Sequence, residues 1–159
     1  PEHARMSIIE FLENYKTAFA LERLDYIRTI FDENAVIIVG KIAKAATGIS
    51  PENQITYNNN IIIRTRYTKE QYLKNLERCF ASNEFVNVRF ANNDIIKAGK
   101  GGEIYGIQIK QDYYSANYGD TGYLFLLVDL NDPEAPMIKV RTWQPEPDPV
   151  DGLYDISHF

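Results

Sequence analysis

Two stretches of helical periodicity open the chain. Apolar residues recur at positions 8, 11, 12, 15 and 19, which places them on one face of a helix. Ser7 and Glu10 have the spacing of a capping box, so this helix is predicted to begin at Ser7. A second, shorter helix is predicted from Glu22 to Phe31, and the polar residues 32–34 end it.

A third helix and a series of strands are predicted for the rest of the chain. Thr68 and Gln71 form a second capping-box pattern, which predicts a helix start. The apolar stripe of that helix comprises Tyr72, Leu73, Leu76, Cys79 and Phe80. Runs that are rich in β-branched residues, or that alternate between apolar and polar residues, predict strands over 35–42, 61–67, 86–90, 94–98, 103–114, 123–130 and 137–143.

This order of elements predicts an α+β domain, with helices on one side of a curved antiparallel sheet. A strongly twisted sheet of this length curls, and helices that close it make a cone with an inner cavity. We expect residues 1–145 to form this single domain. Residues 146–159 are expected to form an extended C-terminal arm, because prolines at 145, 147 and 149 prevent a central strand.

Composition narrows the classes of function. The chain has 159 residues and a net charge of −5, whereas proteins that bind phosphate backbones are usually basic, so no nucleic-acid partner is expected. The longest apolar run covers only 123–128, so no membrane span is expected. One cysteine and two histidines are too few for a disulfide or a typical zinc site, and no cofactor motif occurs. We therefore expect neither a metal nor a cofactor.

The chain begins at Pro1, without an initiator methionine or a leader pattern. We interpret this start as that of a processed chain or of a domain from a longer protein. The sequence therefore does not distinguish a cytoplasmic protein from an exported one.

The opening segments resemble those of NTF2-like domains, the SnoaL-like, cystatin-like α+β family. The resemblance rests on residues 15–19 (YKTAF), 24–27 (LDYI) and 30–36 (IFDENAV). It implies a helix, a short second helix, and a first strand entered through a phenylalanine, an acidic pair and an alanine, in a cone-shaped domain. The family includes ketosteroid isomerases, epoxide hydrolases, polyketide cyclases, transport factors and domains without catalysis, so the resemblance implies no single function.

The resemblance also bears on one activity. In the isomerase branch a tyrosine of the first helix donates to the substrate oxyanion, and Tyr15 occupies that position. The general base of that branch lies on the first strand, four residues after the alanine, where this chain has Val39. Valine cannot accept a proton, so the resemblance argues against steroid isomerisation here.

Polar and aromatic side chains of the first helix and the late strands are the candidates for a ligand pocket. These candidates are Tyr15, Asp112, Tyr113, Arg141 and Trp143. Tyr15 is interpreted either as a ligand-binding group or as a core tyrosine with a satisfied hydroxyl, and the core interpretation is preferred. Asp112 is the best candidate for a carboxylate in the cavity. The sequence does not determine whether its side chain lies on the inner or the outer face of the strand.

Alternation divides the last strand into two faces, with Lys139, Arg141 and Trp143 opposite Ile138. A face that carries lysine, arginine and tryptophan, beside the polar face of the strand over 103–114, has two interpretations. It lines a polar cavity for an anionic ligand, or it forms the outer surface of the sheet. The alternation favours the outer surface, because half-buried antiparallel strands usually show this pattern.

Three other features are interpreted as structural. Asp32 and Glu33 are predicted to lie in a solvated turn at the end of the second helix. Arg64 and Arg66 are predicted to face solvent at a sheet edge, where charge discourages aggregation. Cys79 is predicted to be an inert core residue.

The leading hypothesis is a non-catalytic NTF2-like module of a larger or exported bacterial-type protein, which binds a small ligand in its cone or a protein across its sheet. One alternative is a cofactor-independent SnoaL-like enzyme, such as a hydrolase, isomerase or cyclase. Another is a structural dimerisation domain. A carboxylate or histidine held beside Tyr15 would distinguish the enzyme from the module. A two-fold homodimer through the sheet is also expected, because aromatic-rich faces often form interfaces.

Overall fold

In the part of the chain that the structure describes, six strands form one curved, open sheet, and three helices cover one of its faces. The computed structural model describes residues 2–44, 60–82, 86–99, 102–115 and 118–159. The elements are α1 (Glu2–Ala20), α2 (Leu24–Ile30), β1 (Phe31–Lys44), β2 (Asn60–Tyr67), α3 (Lys69–Ser82), β3 (Val86–Lys97), β4 (Ile104–Ser115), β5 (Tyr118–Asp129), β6 (Met137–Gln144) and a 3-10 turn (Ile156–His158). The predicted α+β class, with a curved sheet on N-terminal helices, is confirmed.

The strands lie in the order β2-β1-β6-β5-β4-β3, so that β2 and β3 are the edges. Neighbouring strands are antiparallel, except that β6 returns beside β1 in the parallel direction. We call the side that the helices cover the inner face and the opposite side the outer face. The core lies between the helices and the inner face. No helix in the described ranges is long and apolar enough to cross a membrane.

The first helix begins five residues earlier than predicted. Ser7 lies within α1, and its hydroxyl donates to the carbonyl oxygen of His3 at 3.2 Å instead of capping the helix. The residues before Ser7 include Ala4, Arg5 and Met6, which are good helix formers and extend the helix towards Glu2. The predicted apolar face is buried as expected.

The capping box at the start of α3 is confirmed. The Thr68 amide donates to Gln71 Oε1 at 2.9 Å, and the Gln71 amide donates to Thr68 Oγ1 at 3.2 Å. The predicted burial of Cys79 is wrong, because its side chain is exposed. The buried stripe of α3 comprises Lys69, Tyr72, Leu73, Leu76 and Phe80, and position 79 lies beside it.

The acidic pair after α2 lies in β1 and not in a solvated turn. Asp32 accepts a hydrogen bond from Lys139 Nζ at 2.6 Å, and Glu33 accepts one from the buried Lys69 at 2.8 Å. The hydrogen bond from Lys139, helped by one from the Asn34 amide, holds the pKa of Asp32 below its usual value. The sequence pattern missed these ion pairs because both lysines lie far away in the chain.

The segment after β6 folds back onto the outer face of the chain's own sheet. Its backbone is held by Gln144, whose Nε2 donates to the carbonyl oxygens of Glu146 and Gly152, both at 3.0 Å. Gln144 Oε1 accepts from the Tyr154 amide at 3.2 Å. At the end of the chain the ring of Phe159 stacks on Phe125, with the centroids 5.9 Å apart.

Arg64 fastens the arm to the edge strand β2. Its guanidinium lies 3.0 Å from the Asp148 carboxylate and 5.2 Å from the centroid of the Tyr154 ring. Arg64 and Arg66 are both exposed on the edge strand β2, as predicted, and the contact of Arg64 with the arm was not predicted.

Candidate functional site

A bulge in β6 determines which side chains reach the inner face. Leu127 pairs with Val140 and Val128 pairs with Ile138, so Lys139 is an extra residue in the ladder. Simple alternation places Ile138 and Arg141 on opposite faces, but the bulge brings both to the inner face. The preferred outer position for Arg141 is therefore wrong.

The polar residues of β4 lie on the other side of the sheet from Arg141. Arg141 pairs in register with Leu126, and Leu126 pairs with Ile107, so all three lie on the inner face. Gln108 lies on the outer face, where its Nε2 donates to the Tyr154 carbonyl oxygen at 2.7 Å. The polar faces of β4 and β6, which the sequence pattern had placed side by side, are thus opposite each other.

Arg141 is the centre of the candidate site. Only 7% of this residue is exposed. Its Nε donates to the Tyr15 hydroxyl at 3.1 Å, and its guanidinium carbon lies 5.0 Å from the centroid of the Tyr72 ring. No carboxylate in the part of the chain that the structure describes forms an ion pair with it.

The guanidinium keeps its charge despite this burial. Desolvation lowers the pKa of Arg141, but the phenolic groups of Tyr15 and Tyr72 more than offset it, so the pKa lies above its ordinary value. The contact with Tyr72 is a cation–π interaction, which is strongest where water is excluded. The site therefore holds a permanent positive charge in apolar surroundings.

Tyr15 is held rigidly by aromatic neighbours. It is 1% exposed, and its ring centroid lies 4.6 Å from that of Phe19 and 6.1 Å from that of Phe90. The two interpretations of Tyr15 are compatible here, because it is a core residue whose hydroxyl contacts the one buried charge of β6.

Trp143 is the next inner residue along β6, and a glycine gives it room. A methyl group on Gly122 would lie 2.5 Å from Trp143 Cζ2 and 2.7 Å from the Gln144 carbonyl oxygen, so the indole lies directly against the Gly122 backbone. Gln111 pairs in register with Gly122 and is 5% exposed. Its Oε1 is buried and has no hydrogen-bond partner among the described residues.

The inner face becomes more exposed from Arg141 towards Trp143. In β1, Ile37 pairs with Arg141 and is buried, whereas Val39 pairs with Trp143 and is half-buried. Lys41 continues the same face and is exposed. The site therefore opens in this direction, with an arginine at its base and a lysine further out.

The structure brings together only some of the candidates. Tyr15 and Arg141 are in contact, and Trp143 lies next along β6. Asp112 lies on the outer face, where it accepts from Thr121 Oγ1 at 2.8 Å, so it is not beside Tyr15. Tyr113 pairs with Val88 through the β3–β4 ladder, but its side chain lies outside the described residues.

Gln111 and Gly122 belong to the site and, like Tyr72, were not among the sequence-based candidates. Gln111 shares a face with Ile107 and Ile109, and a polar residue in such an apolar row was an available signal. The role of Gly122 depends on the position of Trp143, which no local pattern shows. No group of three or more histidine, cysteine, aspartate or glutamate side chains in the described ranges is placed to hold a metal ion.

Solved structures place this architecture in a known fold. An NTF2-like protein of unknown function from Pseudomonas putida KT2440 superposes with a TM-score of 0.66 at 11% identity, over 98% of this chain and 97% of that one. The chain has an NTF2-like fold. The predicted resemblance is thereby confirmed at the level of the fold.

Other structural matches come from proteins of different kinds. A chain of naphthalene 1,2-dioxygenase with indole bound in its active site has a TM-score of 0.67 at 7% identity, over 96% of this chain and 85% of that one. Bd1075 of Bdellovibrio bacteriovorus has a TM-score of 0.63 at 14% identity, over 89% of this chain but 40% of Bd1075. Neither a protein-family model nor a curated protein sequence matches the chain.

Proposed function

We propose that this NTF2-like domain is a binding module that holds a small carboxylate ligand against Arg141 and Tyr15 on the inner face of the sheet. The observation that carries the proposal is a buried guanidinium with no carboxylate partner among the described residues. A buried charge is costly unless it is paired. A ligand carboxylate would supply the missing counter-charge, and arginine binds this group with two parallel hydrogen bonds.

The surroundings of Arg141 suit a ligand with an apolar body. Trp143, Phe90 and Val39 are half-buried around the opening, and Gln111 carries a buried oxygen without a described partner. Small-molecule sites combine such apolar walls with a few placed polar groups. Lys41 adds positive charge further out on the same face, which favours the approach of an anion.

The same residues favour a binding module over an enzyme. A SnoaL-like hydrolase, isomerase or cyclase needs a positioned proton acceptor or donor. The described inner face offers Val39 at the position of the isomerase base, and Asp112 points to the other side of the sheet. The likeness to part of the longer Bd1075 chain supports the further proposal that the module works within a larger bacterial-type protein.

Self-association is a second part of the proposal. We infer a two-fold homodimer through the outer face, because exposed apolar residues lie there, among them Ile96 and Phe159. Light scattering should give twice the chain mass of 18.3 kDa. A monomer at all accessible concentrations would contradict the proposed dimer, but it would not contradict the proposed ligand site.

The binding proposal is tested with benzoate, phenylacetate and cinnamate, and with the matching amides as uncharged controls. The carboxylates are expected to shift the emission of Trp143 and to raise the melting temperature, whereas the amides are not. Trp143 is the only tryptophan, which makes the signal specific. If no carboxylate stabilises the fold, the proposal is wrong.

Variants locate the binding. Arg141→Met should abolish carboxylate binding, and Arg141→Lys should retain part of it. Tyr15→Phe should weaken binding by about 0.5–1.5 kcal/mol, the net contribution of one hydrogen bond. Arg66→Met removes an exposed arginine and should bind as the wild type does. Equal binding by wild type and Tyr15→Phe would contradict the site even if Arg141→Met fails to fold.

A further inference from the structure

A cavity lies on the outer face, between the sheet and the C-terminal arm. It has a volume of about 280 Å³, and residues from β4, β5, β6 and the arm line it. Its walls include Gln108, Phe125, Thr142, Leu153 and Tyr154. Thr142 and Arg141 are neighbours in β6 and lie on opposite faces, so this cavity is separate from the candidate site above.

Thr142 carries an unused polar group in this cavity. The residue is 1% exposed, and its Oγ1 is buried without a hydrogen-bond partner among the described residues. Buried hydroxyls in native proteins nearly always have a partner, and each exception calls for an explanation such as a bound molecule.

The neighbouring amide groups are engaged with the arm. Gln144 uses Nε2 and Oε1 on the backbone of the arm, and Gln108 Nε2 donates to the Tyr154 carbonyl oxygen. Among the polar residues of the lining, Thr142 is the one whose side-chain oxygen is fully buried without a described partner. A ligand with one hydrogen-bonding atom would satisfy it.

The remaining walls define the class of ligand. Phe125, Leu153 and Tyr154 present apolar and aromatic surface, and the volume suits a molecule with one ring. Asp94 and Lys110, the charged lining residues, have opposite signs and are exposed, so the interior carries no net charge. We propose that this cavity binds a small uncharged aromatic molecule of the phenol class, whose hydroxyl pairs with Thr142.

Binding in this cavity depends on the arm, because Leu153 and Tyr154 form one wall. The arm is held there by the Arg64–Asp148 ion pair and by Gln144. A phenol in the cavity contacts sheet and arm together, so it should favour the docked arm over an undocked one.

The test measures phenol and toluene binding by calorimetry and by backbone amide NMR of the whole chain. Phenol should bind more tightly than toluene, with the largest shifts at Gln108 and Tyr154. Thr142→Val keeps the shape of the side chain and should weaken phenol binding about fivefold to tenfold, without weakening toluene binding. Thr65→Val, at an exposed strand threonine, should bind phenol as the wild type does.

Three results would overturn the proposal. The first is no saturable phenol binding, and the second is equal phenol affinity of wild type and Thr142→Val. The third is displacement of phenol by saturating benzoate, which would place phenol on the inner face. Tyr154→Ala provides an independent variant, because loss of this wall should weaken both phenol and toluene.

Discussion

Arg141 and Gln144 are buried polar residues of the same strand, three positions apart, and they are accommodated in different ways. Gln144 lies on the outer face with both of its amide atoms bonded to the backbone of the arm. Arg141 lies on the inner face, where a tyrosine hydroxyl and an aromatic ring accompany its charge but no described carboxylate neutralises it.

The difference separates a structural role from a binding role. A side chain whose hydrogen-bonding capacity is filled by its own chain stabilises the fold, and its loss leaves backbone groups without partners. A buried charge without a counter-ion lowers stability, and its presence is explained better by a ligand that supplies the counter-charge. Substitution of Gln144 is therefore expected to act mainly on stability, and substitution of Arg141 mainly on ligand binding.

The largest effect is expected on the outer face. Gln144→Ala leaves the carbonyl oxygens of Glu146 and Gly152 and the Tyr154 amide without this partner, so the free energy of unfolding should fall by about 3 kcal/mol. The measurement is urea unfolding at pH 7. Gln108→Ala, which loses one bond to the arm, should cost about 1 kcal/mol. Equal costs would show that Gln144 does not fasten the arm.

A smaller effect is expected where Trp143 lies on the inner face. Gly122→Ala places a methyl group within 2.5 Å of the indole and 2.7 Å of a backbone oxygen, so the chain must shift. The expected cost is about 2 kcal/mol, with an altered Trp143 emission spectrum. Gly99→Ala is the control, because nothing lies within 4 Å of its added methyl group. An unchanged spectrum and stability would show that the indole does not lie against Gly122.

The smallest effect is expected at the ion pair between Asp32 and Lys139, the bulge residue of β6. The pKa of Asp32 is lower in the folded state than in the unfolded state. Its pair with Lys139 therefore stabilises the fold at pH values above the unfolded-state pKa of about 3.9. This contribution to the free energy of unfolding is lost as the pH falls through the lower pKa that Asp32 has in the folded state. Asp32→Asn should cost about 0.5–1 kcal/mol at pH 7, and the difference from wild type should shrink as the pH falls below 4.

A double-mutant cycle checks this assignment. In a Lys139→Met background, Asp32→Asn should lose most of its effect at pH 7, because the partner is already absent. Unfolding is followed by circular dichroism at pH 7 and pH 3. A full effect of Asp32→Asn without Lys139 would attribute the stabilisation to the Asn34 amide instead.

Much of the element order followed from local signals. The Thr68–Gln71 box marks the start of α3 because both of its hydrogen bonds join residues three apart. The Ser7–Glu10 pattern failed although it has the same spacing, since the preceding residues continue the helix. A capping box therefore predicts a helix start only where the chain before it does not favour a helix.

The candidate site depended on long-range contacts. Tyr15 was a candidate because the family resemblance matches it to a tyrosine of the isomerase branch. Its partner Arg141 is 126 residues away in the chain. Alternation alone placed Arg141 opposite Ile138, and only the bulge at Lys139 corrects this. One extra residue reverses the faces of everything beyond it, and its position is determined by pairing with neighbouring strands.

The sequence by itself determined the fold class, the order of helices and strands, and the aromatic face of α1, because periodicity and capping act within a few residues. It divided one strand wrongly, since the strands predicted over 86–90 and 94–98 form the single β3. Only the tertiary structure decided that Arg141 faces the helices and that Gln144 receives the arm. Alternation defines two faces of a strand but not which one is inward, and here both are covered. Helix α1 and the arm, which contact these two faces, come from opposite ends of the chain, so their contacts with β6 follow from packing and not from local pattern.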